Sequence, residues 1–395
     1  MKYFVLIIDG AAGLPLPDRN NKTCLELAVT PNLDAMVKEG TLGLAQTVPP
    51  GMEPSSACAC MSVLGYDPTV YYKGRAGIEA RSMGLDIGED EVVFRCNLVT
   101  LRDGRMWDYS GGHISTGEAA EIIKSLNKEL GTSHIDFYPG IGYRHILKLK
   151  GYRDTIDAVC TPPHDIPGKP VADYLPKGPG SHLLIDLMTR SQDLLRSHKI
   201  NVERRSRGDV PVSSVWLFWG SGQAPEMPHF NETYGLMAGM TSGVDLLRGL
   251  AMMAGMSVLD IEGVTDGLDN DYAAQAVGAI DALGEHDMVV IHVEAPDDAG
   301  HDGLIDEKIK AIEYIDGEII GRLVLLGKDK LRGLVMPDHP TPITSRTHAA
   351  DPVPFLLWGS DIESNGAARF TESEAGKTGL FMEQGYKIMG RLVGR

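Results

Sequence analysis

Cysteine is scarce in this chain, with five in 395 residues (Cys24, Cys58, Cys60, Cys96, Cys160), an odd number without a CxxC spacing. That pattern gives no support to a disulfide framework or a thiolate zinc site, and it reads as reduced thiols in a cytoplasmic chain. Positive charge is also short. Lys plus Arg number 37 against 54 Asp plus Glu, a net charge of −17, which opposes binding to phosphate backbones or anionic lipid and makes nucleic acid an unexpected partner. Long apolar runs are missing as well. No stretch approaches the ~18 residues that a membrane span needs, so no membrane partner is expected. The apolar part of "MKYFVLIIDG" is too short for a signal-peptide core and meets Asp9 before any small-residue cleavage site. Neither a fixed-period repeat nor a low-complexity tract is evident.

The chain is longer than the ~250 to 300 residues at which single cores stop growing, so two domains are expected. "YFVLIID" at the start, "DMVVIHVEAPD" from 287 and "LRGLVMPDH" over 331–339 are continuous apolar runs, the form of strands buried on both faces of a parallel sheet. After the second run, Ile305, Ile309, Ile312, Ile315, Ile319 and Leu323 recur at helical spacing. Strand, helix and strand make a βαβ unit. The middle has a different texture: short alternating runs such as "VVFRCNLVTL", "YRHILKLKG" and "SVWLFWG", two helical stretches, and Pro/Gly-rich connectors such as "TPPHDIPGKP". The expectation is an α/β fold whose core, residues 1–85 and 235–395, is interrupted by a smaller α+β domain at 86–234.

Open parallel sheets gather ligands at the carboxyl ends of their strands. Three apolar runs here end in acid or in acid with imidazole: Asp9 after "FVLII", Asp297 in "APDDAGHDG" with His301 four residues on, and Asp338-His339 in "PDHP". Any one of these aspartates alone is more often a turn former or helix cap. Together with His348 they point to a metal centre, because carboxylate and imidazole donors suit zinc, manganese or magnesium, and so many exceed what one tetrahedral ion takes. Two divalent ions ~3.5 to 4 Å apart would use them all and would stabilise the attacking and leaving oxygens of a phosphoryl transfer. A nucleophile is then needed. "PPGMEPSSACACMSVLGYDP" offers Ser55 and Ser56 after a Gly/Pro-rich loop and before a helix start, where a hydroxyl facing a metal loses its proton more readily. From that segment alone, both serines read more readily as helix caps. Cys58 and Cys60 read as small packed thiols.

The run "SACACMSVLGYDP" followed by "YYKGRAGIEA", with "DYSGGHIS", "GYRHIL", "PPHDIPGKPV", "DDAGHDG", "PDHPTP" and "THAADPVPFLLWG", resembles the archaeal-type cofactor-independent phosphoglycerate mutases of the alkaline phosphatase superfamily, nearly end to end and in order. The resemblance implies an alkaline-phosphatase-like, mostly parallel sheet flanked by helices, with the inserted domain closing over substrate. It implies that one metal takes Asp297, His301 and His348 and the other Asp9, Asp338, His339 and the oxygen of Ser56, the serine picked out by the register of the "SxLGYDP" tail. It further implies Mn2+ or Mg2+, or Zn2+, no 2,3-bisphosphoglycerate, and a phosphoserine step that interconverts 3- and 2-phosphoglycerate. His113, Arg144, Arg75 and His164 resemble contacts to that small phosphorylated substrate.

One departure stands out. Members of the family commonly carry Gly-Ser-Asp-Thr-Ala-His around the nucleophile, whereas this chain has Ser55-Ser56-Ala57-Cys58-Ala59-Cys60. Related enzymes with altered loops include proposed homoserine kinases, so a phosphotransferase or phosphatase acting on another small substrate is the alternative expectation. An ordinary nucleotide-binding loop is not supported, because "EAGKTG" has Thr371 where the first glycine of that motif belongs.

Overall fold

The computed structural model describes residues 1–223 and 226–394, which form two compact units: Met1–Tyr72 with Glu226–Arg395, and Lys73–Pro225. In the first unit, Phe4, Val5, Leu6, Ile7 and Ile8 are wholly buried. A strand with no polar face is stable only at the centre of a sheet covered on both sides, and Lys2–Ile8 lies there. The sheet has eight strands, in the order Phe381–Met382, Thr41–Ala45, Val353–Trp358, Leu331–Met336, Lys2–Ile8, Met288–Val293, Ala238–Thr241 and Ser257–Val258. Val353–Trp358 runs antiparallel to both its neighbours, and the other pairings are parallel.

Two parallel strands need a crossover, and the isoleucine-rich stretch supplies it. The helix Ile305–Tyr314 continues as the π-helical Ile315–Ile320, and Ile312, Ile315, Ile319 and Leu323 are buried. This crossover joins Met288–Val293 to Leu331–Met336 past the first strand, which lies between them. The register levels the strand ends: Ile8 sits opposite Val293, and Ile7 opposite Met336. Residues just past these strands therefore emerge together.

The second unit holds a separate antiparallel sheet. Its long strand Glu91–Arg102 pairs with Arg144–Lys150 and with Ser214–Ser221, while Ile135–Tyr138 adds outside and Arg105–Asp108 turns back on its end. Side chains alternate across that strand with period two. Val92, Phe94, Cys96 and Leu98 join the core cluster that includes Ile122, Ile123 and Leu126 of the helix Thr116–Leu130 and Leu184 and Leu187 of Ser181–Arg196. Val93 points the other way, toward Ala76 and Ala80 of the helix Arg75–Ser82.

That packing places the helix Arg75–Ser82 in the second unit, whereas the sequence boundary at residue 86 left it in the core. Phe230 lies with the first unit, its amide donating to the Ala254 carbonyl at 2.7 Å. Both junctions thus fall earlier than the texture of the sequence suggests, because an apolar helix face does not announce which sheet it will cover. Among the described residues no helix is long and apolar enough to cross a membrane.

Gly333 is paired in register with Phe4, and the Phe4 ring occupies the space where a Cβ would stand. Gly333→Ala is accordingly expected to lower unfolding stability by ~1 to 3 kcal/mol through overpacking. A fall in the urea midpoint at unchanged slope would show it, and an unchanged midpoint would mean that the sheet absorbs a methyl group freely.

Candidate metal centre

The levelled strand ends deliver three acids to one place. Asp9 comes directly after the first strand and is fully buried. Gly10 turns the chain away at φ +60°, and a Cβ on it would collide with Asp297, so only glycine satisfies both the backbone and the space. Asp338 and His339 come just after Leu331–Met336. The Asp338 Oδ1 accepts from the amides of Gly10 at 3.1 Å and His339 at 2.8 Å, and its carbonyl accepts from the Thr47 hydroxyl. After the third strand the helix Ala295–Asp302 begins, with Asp297 in its first turn and His301 one turn later on the same face.

Two donor sets result. Asp297 Oδ2 lies 3.1 Å from His301 Nε2 and 3.7 Å from His348 Nε2, while the two imidazole nitrogens are 2.9 Å apart. His339 Nε2 lies 3.2 Å from Asp338 Oδ2 and 3.6 Å from Asp9 Oδ1. The sets adjoin, since the rings of His339 and His348 have centroids 4.2 Å apart. Donor atoms of Asp9, Asp338 and His339, and those of Asp297, His339 and His348, fall within 4.8 Å of one another.

Of the two serines, Ser55 is the helix cap, its hydroxyl accepting from the Cys58 amide at 3.3 Å. Ser56, the first residue of the helix Ser56–Val63, puts its Oγ 3.2 Å from His339 Nε2 and is 6% exposed. Cys58 packs in a small cluster with Val48 and Ala59, as a buried thiol should. Cys60 does not match that reading: its Sγ lies 3.3 Å from Asp338 Oδ2, inside the polar centre.

Four further residues belong to the centre without standing out in the sequence motifs. His292, on the strand Met288–Val293, places Nε2 2.7 Å from Asp9 Oδ2 and 3.5 Å from Glu294 Oε2. Thr341 donates its hydroxyl to Asp297. Lys308 is fully buried on the crossover helix. Its ammonium donates to the carbonyls of Gly10 at 2.7 Å, Ala12 at 3.3 Å and Thr341 at 2.7 Å, fastening the loops that carry Asp9 and Asp338. A signal for His292 and Glu294 does exist: both are polar residues in or just after a run otherwise suited to a fully buried strand.

The electrostatics are unbalanced without a cation. Burial pushes the Asp9 carboxyl well above its usual range, with Asp338 and Asp297 adding to the shift. Glu294 is likewise pushed up by burial and by Asp9. Burial also pulls on Asp297, but hydrogen bonds from His301 and His348 outweigh it and hold that carboxyl well below its usual range. Burial brings His339 down to about 4. Asp9 Oδ1 and Glu294 Oε2 are buried with no hydrogen-bond partner among the described residues. Orphaned carboxylate oxygens beside imidazole nitrogens fit a divalent ion, which binds the deprotonated acid and neutral imidazole.

The remaining sequence candidates lie in the second unit, and three of them, Arg75, His164 and Arg144, are linked there through a chain of aromatic rings. The Arg75 guanidinium stacks over Trp219 at 4.3 Å, and its Nε donates to Glu79 at 2.8 Å. Trp219 lies 5.4 Å from the ring of His164, which neighbours Tyr109; Tyr109 meets Tyr143, over which Arg144 lies. His113 closes the turn after Tyr109 at φ +48°, its amide donating to Ser110 Oγ at 3.1 Å.

Comparison with known proteins places this geometry. The family model described as 2,3-bisphosphoglycerate-independent phosphoglycerate mutase matches residues 37–201. A curated protein of that name from Methanothrix thermoacetophila is 46% identical over 100% of both chains. Another from Methanosarcina barkeri is 45% identical over 100% of this chain and 99% of its own. Among solved structures, a Pyrococcus horikoshii protein superposes with a TM-score of 0.82 at 28% identity, covering 100% of this chain and 97% of that one. The cofactor-independent phosphoglycerate mutase of Thermoplasma acidophilum gives a TM-score of 0.64 at 25% identity, covering 100% and 99%.

The acid-imidazole pairing yields a pH prediction for chelator-stripped protein. Burial pulls the His301 imidazolium down, but its hydrogen bond and charge interaction with Asp297 prevail and raise it from 6.5 to about 9. A cation favoured by folding contributes stability in full below the unfolded value, and that contribution is lost as pH rises through the folded value. Melting temperature of the stripped protein should therefore fall between pH 6.5 and about 9, and His301→Gln should flatten that fall. An identical slope in the variant would remove His301 as its source.

Proposed function

We propose an activity from one premise: the chain belongs to the 2,3-bisphosphoglycerate-independent phosphoglycerate mutase family. The activity is interconversion of 3-phosphoglycerate and 2-phosphoglycerate without a bisphosphoglycerate cofactor. The observation that carries it is the Ser56 hydroxyl, 3.2 Å from His339 Nε2 and shielded from water beside two sets of acid and imidazole donors. Asp297, His301 and His348 would hold one divalent ion, and Asp9, Asp338, His339 and Ser56 Oγ the other. Manganese, magnesium and zinc all suit these donors. When bound, such ions supply Lewis-acid charge that favours the serine alkoxide and neutralises the phosphoryl oxygens.

The chain's own groups do the rest. Ser56 Oγ attacks phosphorus, the bond from phosphorus to the glycerate oxygen breaks, and the serine proton is balanced by protonation of that departing oxygen, leaving phosphoserine and glycerate. Glycerate turns without leaving, its other hydroxyl attacks the phosphoserine, and Ser56 regains a proton. First-turn amides of the helix that Ser56 opens are suited to orient the transferring group. Burial of Ser56 disfavours water as acceptor, the outcome that would make the enzyme a phosphatase. Arg75, Arg144, His113 and His164 are proposed as substrate contacts by the family resemblance, and for the two arginines the chemistry agrees, since guanidinium groups pair bidentately with carboxylate or phosphate. The altered residues Ala57 to Cys60 do not move the reading to a homoserine kinase, because relatives that match this chain end to end carry the mutase name.

The test is a coupled assay of purified protein with manganese and 3-phosphoglycerate, free of bisphosphoglycerate. 2-Phosphoglycerate should form, and Ser56→Ala should lower kcat/KM by roughly three orders of magnitude or more while metal is still bound. Release of inorganic phosphate in place of product, or ATP-dependent phosphorylation of homoserine, would contradict the assignment. Arg144→Ala should raise KM by ~10-fold or more, the loss expected of one charge-assisted contact, and an unchanged KM would remove Arg144 from the substrate contacts.

A further inference from the structure

We propose that Glu79 is a positioning residue for substrate binding: it holds the Arg75 guanidinium against the Trp219 ring so that both Nη groups stay available to one carboxylate or phosphate. The inference rests on the mutase reading and deepens it. Arg75 and Glu79 lie four apart on one face of the helix Arg75–Ser82. Glu79 Oε1 accepts from Arg75 Nε at 2.8 Å, and Oε2 accepts from Arg95 Nη1. Arg95 in turn donates from Nε to Asn97 Oδ1 at 3.0 Å. Glu79, Arg95 and Asn97 are buried, and this chain of hydrogen bonds comes out to solvent at Arg75, whose side chain is 21% exposed. Among the described residues, Arg75 donates to Glu79 alone.

Trp219 fixes the guanidinium from its face. The strand Ser214–Ser221 shifts register against Glu91–Arg102 between the partners of Val93 and Arg95, and within that shift Trp219 adopts φ +51°. Such irregularities re-aim side chains, and left-handed backbone is unfavourable for so bulky a residue. Here the result is an indole 4.3 Å from the Arg75 guanidinium carbon. Gly74, at φ +125°, starts the helix against the same strand, since a Cβ there would meet Ser221. An arginine bonded at Nε and stacked on one face has already lost rotamer freedom, so an anion binds it at a smaller entropic cost.

Charge argues against a purely structural pair. Arg75 is the first residue of its helix, where the macrodipole disfavours a cation, and arginine before glutamate is the weaker order for an i,i+4 pair. Arg95 alone would suffice to anchor Glu79 to the sheet. Burial acts to raise the Glu79 carboxyl, but Arg95 and Arg75 prevail and bring it down to about 2, so it is fully charged at neutral pH. Arg144 sits opposite Asn97 in register. Burial holds the Arg95 guanidinium below its ordinary value against the pull of Glu79, and Arg75 and Arg144 add to the shift. Three guanidiniums thus gather near one carboxylate in a chain of net charge −17, a local surplus that suits an anionic substrate.

The test is a double-mutant cycle of Arg75→Ala and Glu79→Gln in full-length, manganese-loaded protein, reading KM for 3-phosphoglycerate, kcat and the urea midpoint. Each single variant should raise KM by ~10-fold or more with a much smaller change in kcat, the loss of one charge-assisted contact. In the Arg75→Ala background, Glu79→Gln should leave KM where it is, because its effect passes through Arg75. Additive effects on KM, or a Glu79→Gln variant that moves the urea midpoint alone, would overturn the inference and leave the mutase reading standing. An unchanged KM in Arg75→Ala would do the same. Where Glu79→Gln fails to fold, Glu79→Asp keeps a counter-charge for Arg95 and decides by the same comparison, with KM raised in the otherwise unaltered chain and unmoved beside Arg75→Ala. An unaltered protein that forms no 2-phosphoglycerate would bring down both readings.

Discussion

Four carboxylates converge at one end of the parallel strands Lys2–Ile8, Met288–Val293 and Leu331–Met336, and the fold has to accommodate that repulsion. Asp9, Asp297 and Asp338 are nearly or wholly buried, and Glu294 stands beside them. Two like charges 4 Å apart repel by ~4 kcal/mol at the effective dielectric of a protein's outer layers, and by more in a drier interior. The buried ammonium of Lys308 does not neutralise them directly, because it donates to three backbone carbonyls. His292 and His339, drawn toward neutrality by burial, do not neutralise them either, and the His301 imidazolium offsets Asp297 alone. Divalent cations are the remaining means of making such a cluster favourable.

Holding the cluster in place is a matter of backbone. The level register of three adjacent strands brings the segments that carry Asp9, Asp297 and Asp338 out at the same end of the sheet. Gly10 lets the chain turn within contact distance of Asp297. Lys308 then ties the two loops that carry Asp9 and Asp338, so a residue on the crossover helix fixes both sides of the centre. The helix start works the same way: Ser55 uses its hydroxyl for the cap and leaves Ser56 to face His339.

Much of the centre is legible in the sequence, for a physical reason. Runs of apolar residues specify buried parallel strands, and the residues just past such strands gather at one end of the sheet, so Asp9, Asp297 and Asp338-His339 group together on sequence grounds alone. The α/β character comes from the same runs. Lys308 is not legible, because in a helical pattern a lysine between Ile305 and Ile309 reads as solvated, and only the tertiary fold supplies the three carbonyls that satisfy it. Cys60 escapes for a related reason: a cysteine inside an apolar helix has no pattern that separates a packed thiol from one aimed at Asp338. Adjacent serines carry the same ambiguity, which the φ and ψ of a helix cap resolve. The helix Arg75–Ser82 shows the limit of texture as a boundary signal, since its alanine face suits either sheet.

The most direct test of the two-ion centre is anomalous scattering from a manganese-loaded crystal. Two peaks ~4 Å apart, one among Asp297, His301 and His348 and one among Asp9, Asp338, His339 and Ser56, are the predicted result. Peaks elsewhere, or none under saturating manganese, would contradict it.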